Sequence, residues 1–563
     1  MAYKRLGDLL LDIGLIDQAQ LDQALSIQSK NKKRLGDVLI ENGFITERQL
    51  IEALELQLGV EFIDLSKAVI PPEMAQVLSR NIAKKHSVVP VRADRGTLYL
   101  AMSDPLNFLA IEEVRTATRK KVVPMIATAE AIDHAIFTLY GNEGAARAIE
   151  EMKREARDNG GSAQVYSTTA VDEDVQSAPT VRLVNSIIER AAVERASDIH
   201  LEPHEEELRV RMRIDGLMRN ILTVPKNLQT SVISRLKVMG SMDISERKVP
   251  QDGRANVTVK HKDVDLRMST LPTIFGEKFV IRLLDKDAQI LDKDALGLTG
   301  TDLERYDTLL KSQSGVILIV GPTGSGKSST MYTMMRQLNT EQVNLVTLED
   351  PVEYHIDGLN QVQINEKTGM TFSGGLRAIL RQDPDIIAVG EIRDGETAQI
   401  AMRAAITGHL VLSTVHTSSA AAAIDRLLDI GVEPYLISGA MRGILSQRLV
   451  RRICPHCRRE YTPTEEELAV LGLSGAAGHP FYRGVGCPMC FHTGYRGRTA
   501  VFEVLIVDQP LRRAIRSGAD REQIRAVLAQ GDFVSLADNC RRLVLEGVTT
   551  IEEAARTINS ADL

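Results

Sequence analysis

The residues most able to do chemistry lie in a glycine-rich stretch that follows an apolar run. Gly321, Gly326, Lys327 and Ser328 fit the spacing G-x-x-x-x-G-K-[ST], in which backbone N–H groups surround phosphate oxygens. In this pattern the lysine reaches the β- and γ-phosphates, and the serine hydroxyl holds Mg²⁺. The sequence therefore predicts an ATP-binding loop with the residues Gly321, Pro322, Thr323, Gly324, Ser325, Gly326, Lys327, Ser328 and Ser329.

Such a loop needs a strand before it and a helix after it, and the flanking sequence supplies both. Residues 316–320 are β-branched or otherwise apolar, and residues 329–338 are compatible with a helix. Three later apolar runs end near Glu349, Glu391 and His416, and the carboxyl ends of parallel strands line the ligand crevice of a doubly wound sheet. We therefore expect Glu391 to act on Mg²⁺, Glu349 to orient the attacking water, and His416 to sense the γ-phosphate.

A second cationic feature is the alternating segment 208–214, which has apolar residues on one face and three arginines on the other. This pattern predicts a half-buried strand with a cationic outer face. Asp215-Gly216 predicts a hairpin turn, after which Arg219 returns alongside the first strand. A solvated basic face is the ordinary explanation. Beside a phosphate loop, however, the pattern favours arginines offered to a neighbouring subunit's γ-phosphate, with Arg213 the first candidate and Arg219 the second.

The N-terminus contains an internal repeat. Residues 5–28 recur as residues 34–57, with half of the 24 aligned positions identical. Each copy predicts a short helix, a glycine stop at Gly14 or Gly43, and a second helix with apolar residues at helical spacing. A hydrophobic core explains the apolar positions, but it does not require the arginine that opens each copy or the glutamine that closes it.

The repeat resembles the tandem motif of the cyclic-di-GMP-binding domain found at the N-terminus of some secretion and pilus ATPases. That resemblance implies arginines on the guanines and phosphates, leucines lining the ligand, and glutamines closing the site. A helical docking domain with solvated arginines is the alternative. The implied ligand residues are Arg5, Leu6, Gly7, Leu10, Gly14, Leu25, Gln28, Arg34, Leu35, Gly36, Leu39, Gly43, Leu54 and Gln57.

Four of the five cysteines form two C-x-x-C pairs, Cys454 with Cys457 and Cys487 with Cys490. The two-pair pattern predicts a tetrahedral zinc site, and four thiolates leave no open position, so the zinc would be structural. The insert around it is a candidate docking surface. Redox-active cysteine pairs are the alternative, although a reducing compartment favours metal over disulfide.

Length and composition restrict the class of protein. A chain of 563 residues exceeds a single core and predicts several domains. A net charge of −7 argues weakly against a DNA motor, and no nucleic-acid partner is expected. Asp8 and Asp12 interrupt the first apolar stretch, and no run of 18 apolar residues occurs, so we predict a cytoplasmic protein that meets membranes only through partners.

Four segments together resemble the type II/type IV secretion ATPases. Gly321–Ser329 is similar to their Walker A motif, Leu348–Tyr354 to the aspartate box, Arg381–Asp394 to Walker B, and Thr407–Thr417 to the histidine box. The likeness extends over about residues 178 to 510. The N-terminal extension and the cysteine insert are more similar to pilus assembly and type II secretion ATPases than to the shorter pilus retraction ATPases.

The resemblance implies an α/β fold: a RecA-like P-loop NTPase domain, a PAS-like α+β domain, an N-terminal helical repeat with an α+β part, and a small zinc insert. We expect a regulatory domain over residues 1–140, a flexible linker over 141–178, the PAS-like domain over 179–297, and the ATPase domain over 298–563 with the insert at 450–495. The family assembles as a hexameric ring, so a homo-hexamer is expected.

The implied function is that of a Mg²⁺-dependent ATPase motor. Hydrolysis of ATP to ADP and phosphate would rotate domains beneath an inner-membrane platform protein, with a cytoplasmic adaptor, and assemble a type IV pilus under cyclic-di-GMP control. The protein would lie peripherally at the bacterial inner membrane. A type II secretion motor that builds a pseudopilus is the nearest alternative. A nucleic-acid motor and a nucleotide-gated regulatory scaffold are alternatives of other classes.

Overall fold

The computed structural model describes residues 6–31, 35–65, 67–68, 70–71, 73–158, 178–259, 262–285, 292–476 and 478–559. The helices are α1 (Leu6–Asp12), α2 (Gln18–Asn31), α3 (Leu35–Glu41), α4 (Glu47–Leu58), α5 (Met74–Val77), α6 (Arg80–His86), α7 (Phe108–Thr118), α8 (Ala129–Asp158), α9 (Pro179–Val193), α10 (Gln229–Met239), α11 (Gly300–Leu310), α12 (Lys327–Leu338), α13 (Phe372–Ile379), α14 (Gly395–Ile406), α15 (Ala420–Asp429), α16 (Pro434–Ala440), α17 (Glu465–Val470), α18 (Gln509–Arg516), α19 (Arg521–Leu528), α20 (Leu536–Leu545) and α21 (Ile551–Asn559).

The strands are β1 (Val88–Asp94), β2 (Thr97–Met102), β3 (Lys121–Ile126), β4 (Asp198–Pro203), β5 (Glu207–Ile214), β6 (Leu217–Pro225), β7 (Gln251–Val259), β8 (Lys262–Thr273), β9 (Gly276–Asp285), β10 (Gly315–Val320), β11 (Leu345–Glu349), β12 (Asn360–Gln363), β13 (Ile386–Val389), β14 (Leu410–Val415), β15 (Met441–Ile453), β16 (Arg458–Tyr461), β17 (Phe481–Gly484) and β18 (Tyr495–Ile506). The chain divides into two compact units: Met1–Leu284 with Cys487–His492, and Asp285–Gly486 with Thr493–Leu563. Within the described ranges, no helix combines the length and apolarity needed to span a bilayer.

The repeat at the N-terminus forms two helical hairpins, α1 with α2 and α3 with α4. The first helix of each pair stops at a glycine, and both Gly14 (φ 71°) and Gly43 (φ 70°) adopt the left-handed conformation. The second helices begin at polar caps: the backbone N–H of Gln20 donates to Asp17 at 2.8 Å, and Thr46 forms a capping box. The predicted helix–stop–helix pattern of both copies is therefore confirmed.

Helix α8 extends into the first part of the predicted linker. The sequence has few large apolar residues after Gly141, which favours a mobile segment over residues 141–178 whose first part is compatible with a helix, and α8 continues without a break to Asp158. Ala145, Ala148 and Met152 are buried in the same core as α9, so packing against that helix stabilises residues that have a weak pattern of their own. The remainder of the predicted linker, residues 159–177, lies outside the described part of the chain.

The arginine strand belongs to a six-stranded sheet with the order β6-β5-β4-β9-β8-β7. Along β5, the apolar residues at positions 208, 210, 212 and 214 are buried and the arginines between them are partly exposed, as predicted. Asp215 (φ 48°) and Gly216 (φ 84°) make the tight turn into β6. Helices α9 and α10 share one hydrophobic core with the apolar face, which leaves the arginine face outside that core.

The phosphate loop belongs to a seven-stranded sheet with the order β12-β11-β13-β14-β10-β15-β18. All neighbouring pairs from β12 to β15 are parallel, and only β15 and β18 are antiparallel. Strands β10, β11, β13 and β14 are buried along their whole length, which explains their continuous apolar sequences. The predicted doubly wound parallel sheet is confirmed, and the carboxyl ends of these strands share one edge.

Candidate active site

The phosphate loop connects the end of β10 to the start of α12. A Cβ atom on Gly321 (φ 153°) would lie 2.4 Å from the backbone oxygen of Gln447, and one on Gly326 (φ 90°) would lie 2.7 Å from its side-chain nitrogen. Gly321 is required because the backbone of the neighbouring strand β15 approaches so closely, and Gly326 is favoured by its left-handed backbone conformation. The Ser328 side chain is exposed, so its hydroxyl is accessible to a metal ion.

Lys327 lies at the centre of this edge. Its Nζ donates to the backbone oxygens of Gly321 at 2.8 Å and Pro322 at 3.0 Å, and the residue is only 8% exposed. Burial, and to a lesser extent the charge of Arg448, lower the pKa of Lys327, whereas the carboxylate of Glu391 raises it; together they bring the pKa to about 8. The protonation of Lys327 therefore depends on burial and on the charged groups around it.

His416 links Lys327 to Glu391. The Lys327 Nζ lies 3.4 Å from Nδ1 of His416, and Nε2 of His416 lies 3.5 Å from Oε2 of Glu391. Because an ammonium group only donates, Nδ1 must accept and Nε2 must carry the proton. Burial, with the charge of Lys327, lowers the pKa of His416, which agrees with a neutral imidazole. Lys327, His416 and Glu391 therefore lie together at this edge of the sheet.

Glu391 is the carboxylate best suited to hold a metal ion at this edge. Burial raises its pKa, but the hydrogen bond from Arg393 and the charges of Arg393, His416 and Lys327 outweigh burial, so the pKa lies below its ordinary value. The group is therefore ionised at neutral pH. An ionised carboxylate and an accessible serine hydroxyl are ligands that Mg²⁺ accepts, so the residues present fit the ion.

Glu349 is buried and fixed by several hydrogen bonds. It is 3% exposed, and its carboxylate accepts hydrogen bonds from Tyr332, from Thr347 at 2.6 Å and from Gln361 at 3.2 Å. The Tyr332 hydroxyl also accepts from the backbone N–H of Glu353 at 3.0 Å. Sequence reasoning missed Tyr332 and Gln361, because neither fits a motif and both approach Glu349 only through the fold.

The two candidate arginines lie on opposite faces of their sheet. Arg213 shares the outer face with Asp198, and its Nη1 donates to the oxygen of Gly216 at 3.0 Å. Arg219 pairs with Met212, which is buried, so Arg219 projects to the side of the core helices. The structure therefore does not bring Arg219 together with Arg213. A two-residue turn after Ile214 already fixes this register, so the sequence contained the necessary signal.

The four paired cysteines converge as predicted. Their sulfur atoms all lie within 4.8 Å of one another, and all four residues are buried. The Sγ atoms of Cys487 and Cys490 are 3.7 Å apart, which is far beyond a disulfide bond of about 2.05 Å and close to the edge of a tetrahedron with Zn–S bonds of about 2.3 Å. The residues present therefore fit a structural zinc ion. Cys540, also buried, is not part of the cluster.

The backbone also supports this cysteine cluster. The N–H of Cys454 donates to the oxygen of Gly494 at 2.9 Å, and the N–H of Val485 donates to the oxygen of Cys457 at 3.1 Å. These bonds hold the segments before and after the second cysteine pair against the first pair. Strands β16 and β17 form a small antiparallel sheet in the same insert. The 29-residue spacing between the pairs is thereby compatible with one site.

The implied ligand residues of the N-terminal repeat have different environments. Leu10 and Leu39 are fully buried, so they belong to the core rather than to a ligand surface. Gly7 and Gly36 allow close helix packing, since a Cβ atom would lie 2.9 Å from Leu21 and 2.7 Å from Leu50 respectively. Gly14 and Gly43 serve as helix stops, while Leu25 is 43% exposed. Partly exposed members are Leu6, Gln28, Leu35, Leu54 and Gln57. Arg5 and Arg34 lie outside the described residues.

Comparison with known proteins agrees with this geometry. The family described as type II/IV secretion system protein matches residues 173–556, and the MshEN domain matches residues 58–146, which begin directly after the tandem repeat. The ATPase DotB of Yersinia pseudotuberculosis has a similar fold, with a TM-score of 0.51 and 20% identity over 71% of this chain and 97% of that one.

Curated relatives cover more of the chain. The type IV pilus assembly ATPase PilB of Myxococcus xanthus is 40% identical over 98% of both chains. The type II secretion system protein E of Pseudomonas aeruginosa is 43% identical over 81% of this chain and 91% of its own. The PilB of Thermus thermophilus is 43% identical over 89% of this chain, which spans 56% of that longer protein. The chain that carries this phosphate loop and its strand-end carboxylates therefore belongs to the type II/IV secretion system protein family of ATPases.

Proposed function

We propose that this chain is the Mg²⁺-dependent ATPase that drives type IV pilus assembly. The observation that carries the proposal is the cluster of Lys327, His416 and Glu391 at the carboxyl edge of the parallel sheet, directly after the strands that position them. A buried cation, a neutral imidazole and an ionised carboxylate beside a glycine loop suit phosphoryl transfer, which depends on positioning and charge neutralisation.

Each residue has a separate task in this proposal. Lys327 turns from the loop oxygens to the phosphates, while Ser328 and Glu391 hold Mg²⁺, which when bound would neutralise charge on the triphosphate. Glu349, fixed by its three donors, orients the attacking water. His416 connects the charge of Lys327 to Glu391 and so responds to the γ-phosphate. No covalent intermediate on the protein is required.

The assembly proposed for the chain is a homo-hexamer on the cytoplasmic face of the inner membrane. Hydrolysis would move the arginine-bearing domain against the ATPase domain and turn a membrane platform protein, together with a cytoplasmic adaptor. The cysteine insert, stabilised by zinc, would present a docking surface for such partners. Purified protein is expected to contain about one zinc per chain by elemental analysis, in keeping with a structural Cys₄ site.

Pilus assembly is favoured over type II secretion by the N-terminal half of the chain. The alignment with the Myxococcus pilus ATPase extends over 98% of both proteins, so it includes the tandem repeat, and an MshEN domain follows. The repeat supports binding of cyclic-di-GMP as a regulator, through the partly exposed leucines and glutamines together with Arg5 and Arg34. A type II secretion motor is the second candidate, because a relative of that function is 43% identical.

ATP hydrolysis is tested by measuring phosphate release from the purified full-length chain. We expect Mg²⁺-dependent turnover that Lys327→Ala abolishes, and that Glu391→Gln reduces by at least about tenfold while ATP still binds. Turnover that persists in Glu391→Gln would contradict the assigned role. Equal turnover with and without duplex DNA is expected, whereas strong stimulation by DNA would support a nucleic-acid motor. Absence of turnover in the unmodified chain would favour a regulatory scaffold.

Regulation is tested by titrating cyclic-di-GMP into the full-length protein in a calorimeter. We expect saturable binding that Arg5→Ala or Arg34→Ala abolishes, with Arg115→Ala, an exposed arginine on α7, as the matched control that binds normally. Absence of binding by the unmodified protein would return the repeat to a helical docking domain. It would also make the type II secretion role as well supported as the pilus role, without affecting the ATPase proposal.

A further inference from the structure

Glu503 is a buried carboxylate outside the cluster formed by Lys327, His416 and Glu391. It lies on β18, the last strand in the order of the seven-stranded sheet, and the residue is 7% exposed. Burial raises the pKa of Glu503, whereas the hydrogen bonds that it accepts from two backbone N–H groups lower it. Burying a carboxylate is costly unless its oxygens are paired, so its contacts indicate its task.

Each oxygen of Glu503 holds a different helix. Oε1 accepts from the backbone N–H of Ala420 at 2.7 Å, and Oε2 accepts from the backbone N–H of Leu536 at 3.3 Å. Ala420 is the first residue of α15 and Leu536 is the first residue of α20, so neither N–H has a partner within its own helix. Because the positive ends of two helix dipoles meet this side chain, a carboxylate suits the position.

Helix α15 begins four residues after His416, which itself follows the buried strand β14 directly. The short segment 417–420 between them is held twice. Nη2 of Arg448, a buried residue of β15, donates to the backbone oxygen of Ser418 at 3.0 Å, and Glu503 accepts from the last N–H of the segment. His416 therefore lies between a buried strand and two buried side chains that bind the backbone after it.

Packing alone does not fix the position of His416, because its side chain is 51% exposed. Its ring is nevertheless placed 3.4 Å from Lys327 and 3.5 Å from Glu391. A misplacement of about 1 Å in such a group can cost about a hundredfold in rate. The backbone must therefore be fixed on both sides of the histidine, by β14 before it and by Arg448 and Glu503 after it.

We propose that Glu503, together with Arg448, is a positioning residue for His416, and that the carboxylate ties this histidine to the C-terminal helix α20. This role rests on the proposed ATPase function. Both side chains bind backbone atoms of the segment 417–420, so they act on His416 through the chain. Two acceptor oxygens are needed at position 503, because the two helices present two separate donors.

The main test variant is Glu503→Gln, which keeps the size of the side chain but replaces one acceptor oxygen by an NH₂ group. Asp302→Asn is the matched control. Asp302 is 4% exposed on α11, and its oxygens accept from the backbone N–H of Val504 at 3.3 Å and from Asn539 of α20 at 2.5 Å. Both variants thus lose one buried acceptor that serves β18 or α20, but of the two residues it is Glu503 that also holds the segment after His416.

Steady-state ATPase assays on the full-length protein give the first measurement. We expect Glu503→Gln to lower kcat at least about tenfold, while the KM for ATP changes less than about threefold because the phosphate loop still binds the nucleotide. Asp302→Asn is expected to keep kcat within about twofold, although both variants unfold at lower urea concentration. In the His416→Ala background, adding Glu503→Gln should lower turnover less than about twofold, because the two changes act through one group.

Arg448→Lys tests the same segment from β15 and does not involve α20. Lysine keeps the positive charge near Lys327 but lacks the guanidinium that reaches the Ser418 oxygen. We expect kcat to fall about three- to tenfold at nearly unchanged KM. This variant also decides the question if Glu503→Gln does not fold.

Hydrogen–deuterium exchange of the same proteins tests the positioning without turnover. We expect the segment 417–420 to exchange at least about tenfold faster in Glu503→Gln and in Arg448→Lys, whereas in Asp302→Asn only α20 loses protection. Full turnover of Glu503→Gln, equal losses of kcat in Glu503→Gln and Asp302→Asn, or unchanged exchange over the segment would overturn the inference. Absence of ATPase in the unmodified chain would instead refute the proposed function, and the exchange rates would still decide the positioning.

Discussion

The low pKa of Lys327 predicts that ATP affinity depends on pH in a range where an unperturbed lysine stays charged. Burial lowers this pKa to about 8 in the nucleotide-free chain. A bound triphosphate is an opposite charge at close range and raises the pKa of the lysine that contacts it. Above pH 8, binding must therefore take up a proton, and by linkage the affinity falls as the pH rises.

The size of the pH effect on ATP affinity follows from the pKa of Lys327 alone. With a free-state pKa of about 8, the charged fraction of Lys327 is about nine-tenths at pH 7 and about one-tenth at pH 9. The apparent Kd for ATP is therefore expected to rise about tenfold between pH 7 and pH 9, which corresponds to about 1.4 kcal/mol. His416 and Glu391 both have lowered pKa values, so neither changes charge in this interval.

The assay is a titration of a fluorescent, non-hydrolysed ATP analogue at half-unit steps of pH, at constant ionic strength and saturating Mg²⁺. Lys327→Arg is the matched control, because arginine stays charged throughout and should remove the pH dependence. Glu391→Gln removes the carboxylate that raises the pKa of Lys327, so it is expected to move the midpoint to lower pH. Calorimetry in two buffers with different ionisation enthalpies would measure the proton uptake directly.

A flat affinity profile from pH 7 to pH 9 in the unmodified chain would refute this reasoning. It would mean that Lys327 is fully charged before ATP arrives, so that burial between the loop oxygens and His416 does not discharge it. An equally steep profile in Lys327→Arg would assign the titration to another group. In both cases the phosphate loop would remain the binding site, and only the electrostatic account of Lys327 would be lost.

Three further outcomes are expected. Gly321→Ala should lower kcat/KM at least about tenfold, because its Cβ would lie 2.4 Å from the oxygen of Gln447, whereas Gly324→Ala meets no atom within 4 Å and should cost only about 1–2 kcal/mol of backbone strain. Tyr332→Phe removes a donor from buried Glu349 and should destabilise the ATPase domain by about 2–3 kcal/mol in urea denaturation, with reduced kcat. Zinc removal by a chelator should unfold the cysteine insert, as judged by protease cleavage, while ATP binding persists.

Features that depend on local spacing could be predicted from the amino-acid sequence. The phosphate loop, the strand ends at Glu391 and His416, and the two C-x-x-C pairs are short patterns whose chemistry requires particular residue types at particular intervals. The repeat likewise specified its helices, because stops at Gly14 and Gly43 follow from backbone conformation alone. Each of these features was predictable because few alternative structures satisfy the same pattern.

The way in which those features are held and tuned depends on long-range packing. Tyr332 and Gln361 meet Glu349 from separate elements, and no local pattern indicates them. The charge of Lys327 depends on how deeply the loop is buried, which the sheet determines. The helix through residues 141–158 exists because Ala148 and its neighbours pack against α9.

The arginine face of the six-stranded sheet shows most clearly which features local spacing predicts and which depend on long-range packing. Alternation along β5 predicted which residues face outward, and the two-residue turn fixed the register that separates Arg219 from Arg213. The ion pair between Asp198 and Arg282 depends instead on β4 and β9 becoming neighbours although about 70 residues separate them in the chain, a pairing set by sheet topology. Short-range spacing therefore determined the candidate chemistry, and long-range strand order decided which charges act together.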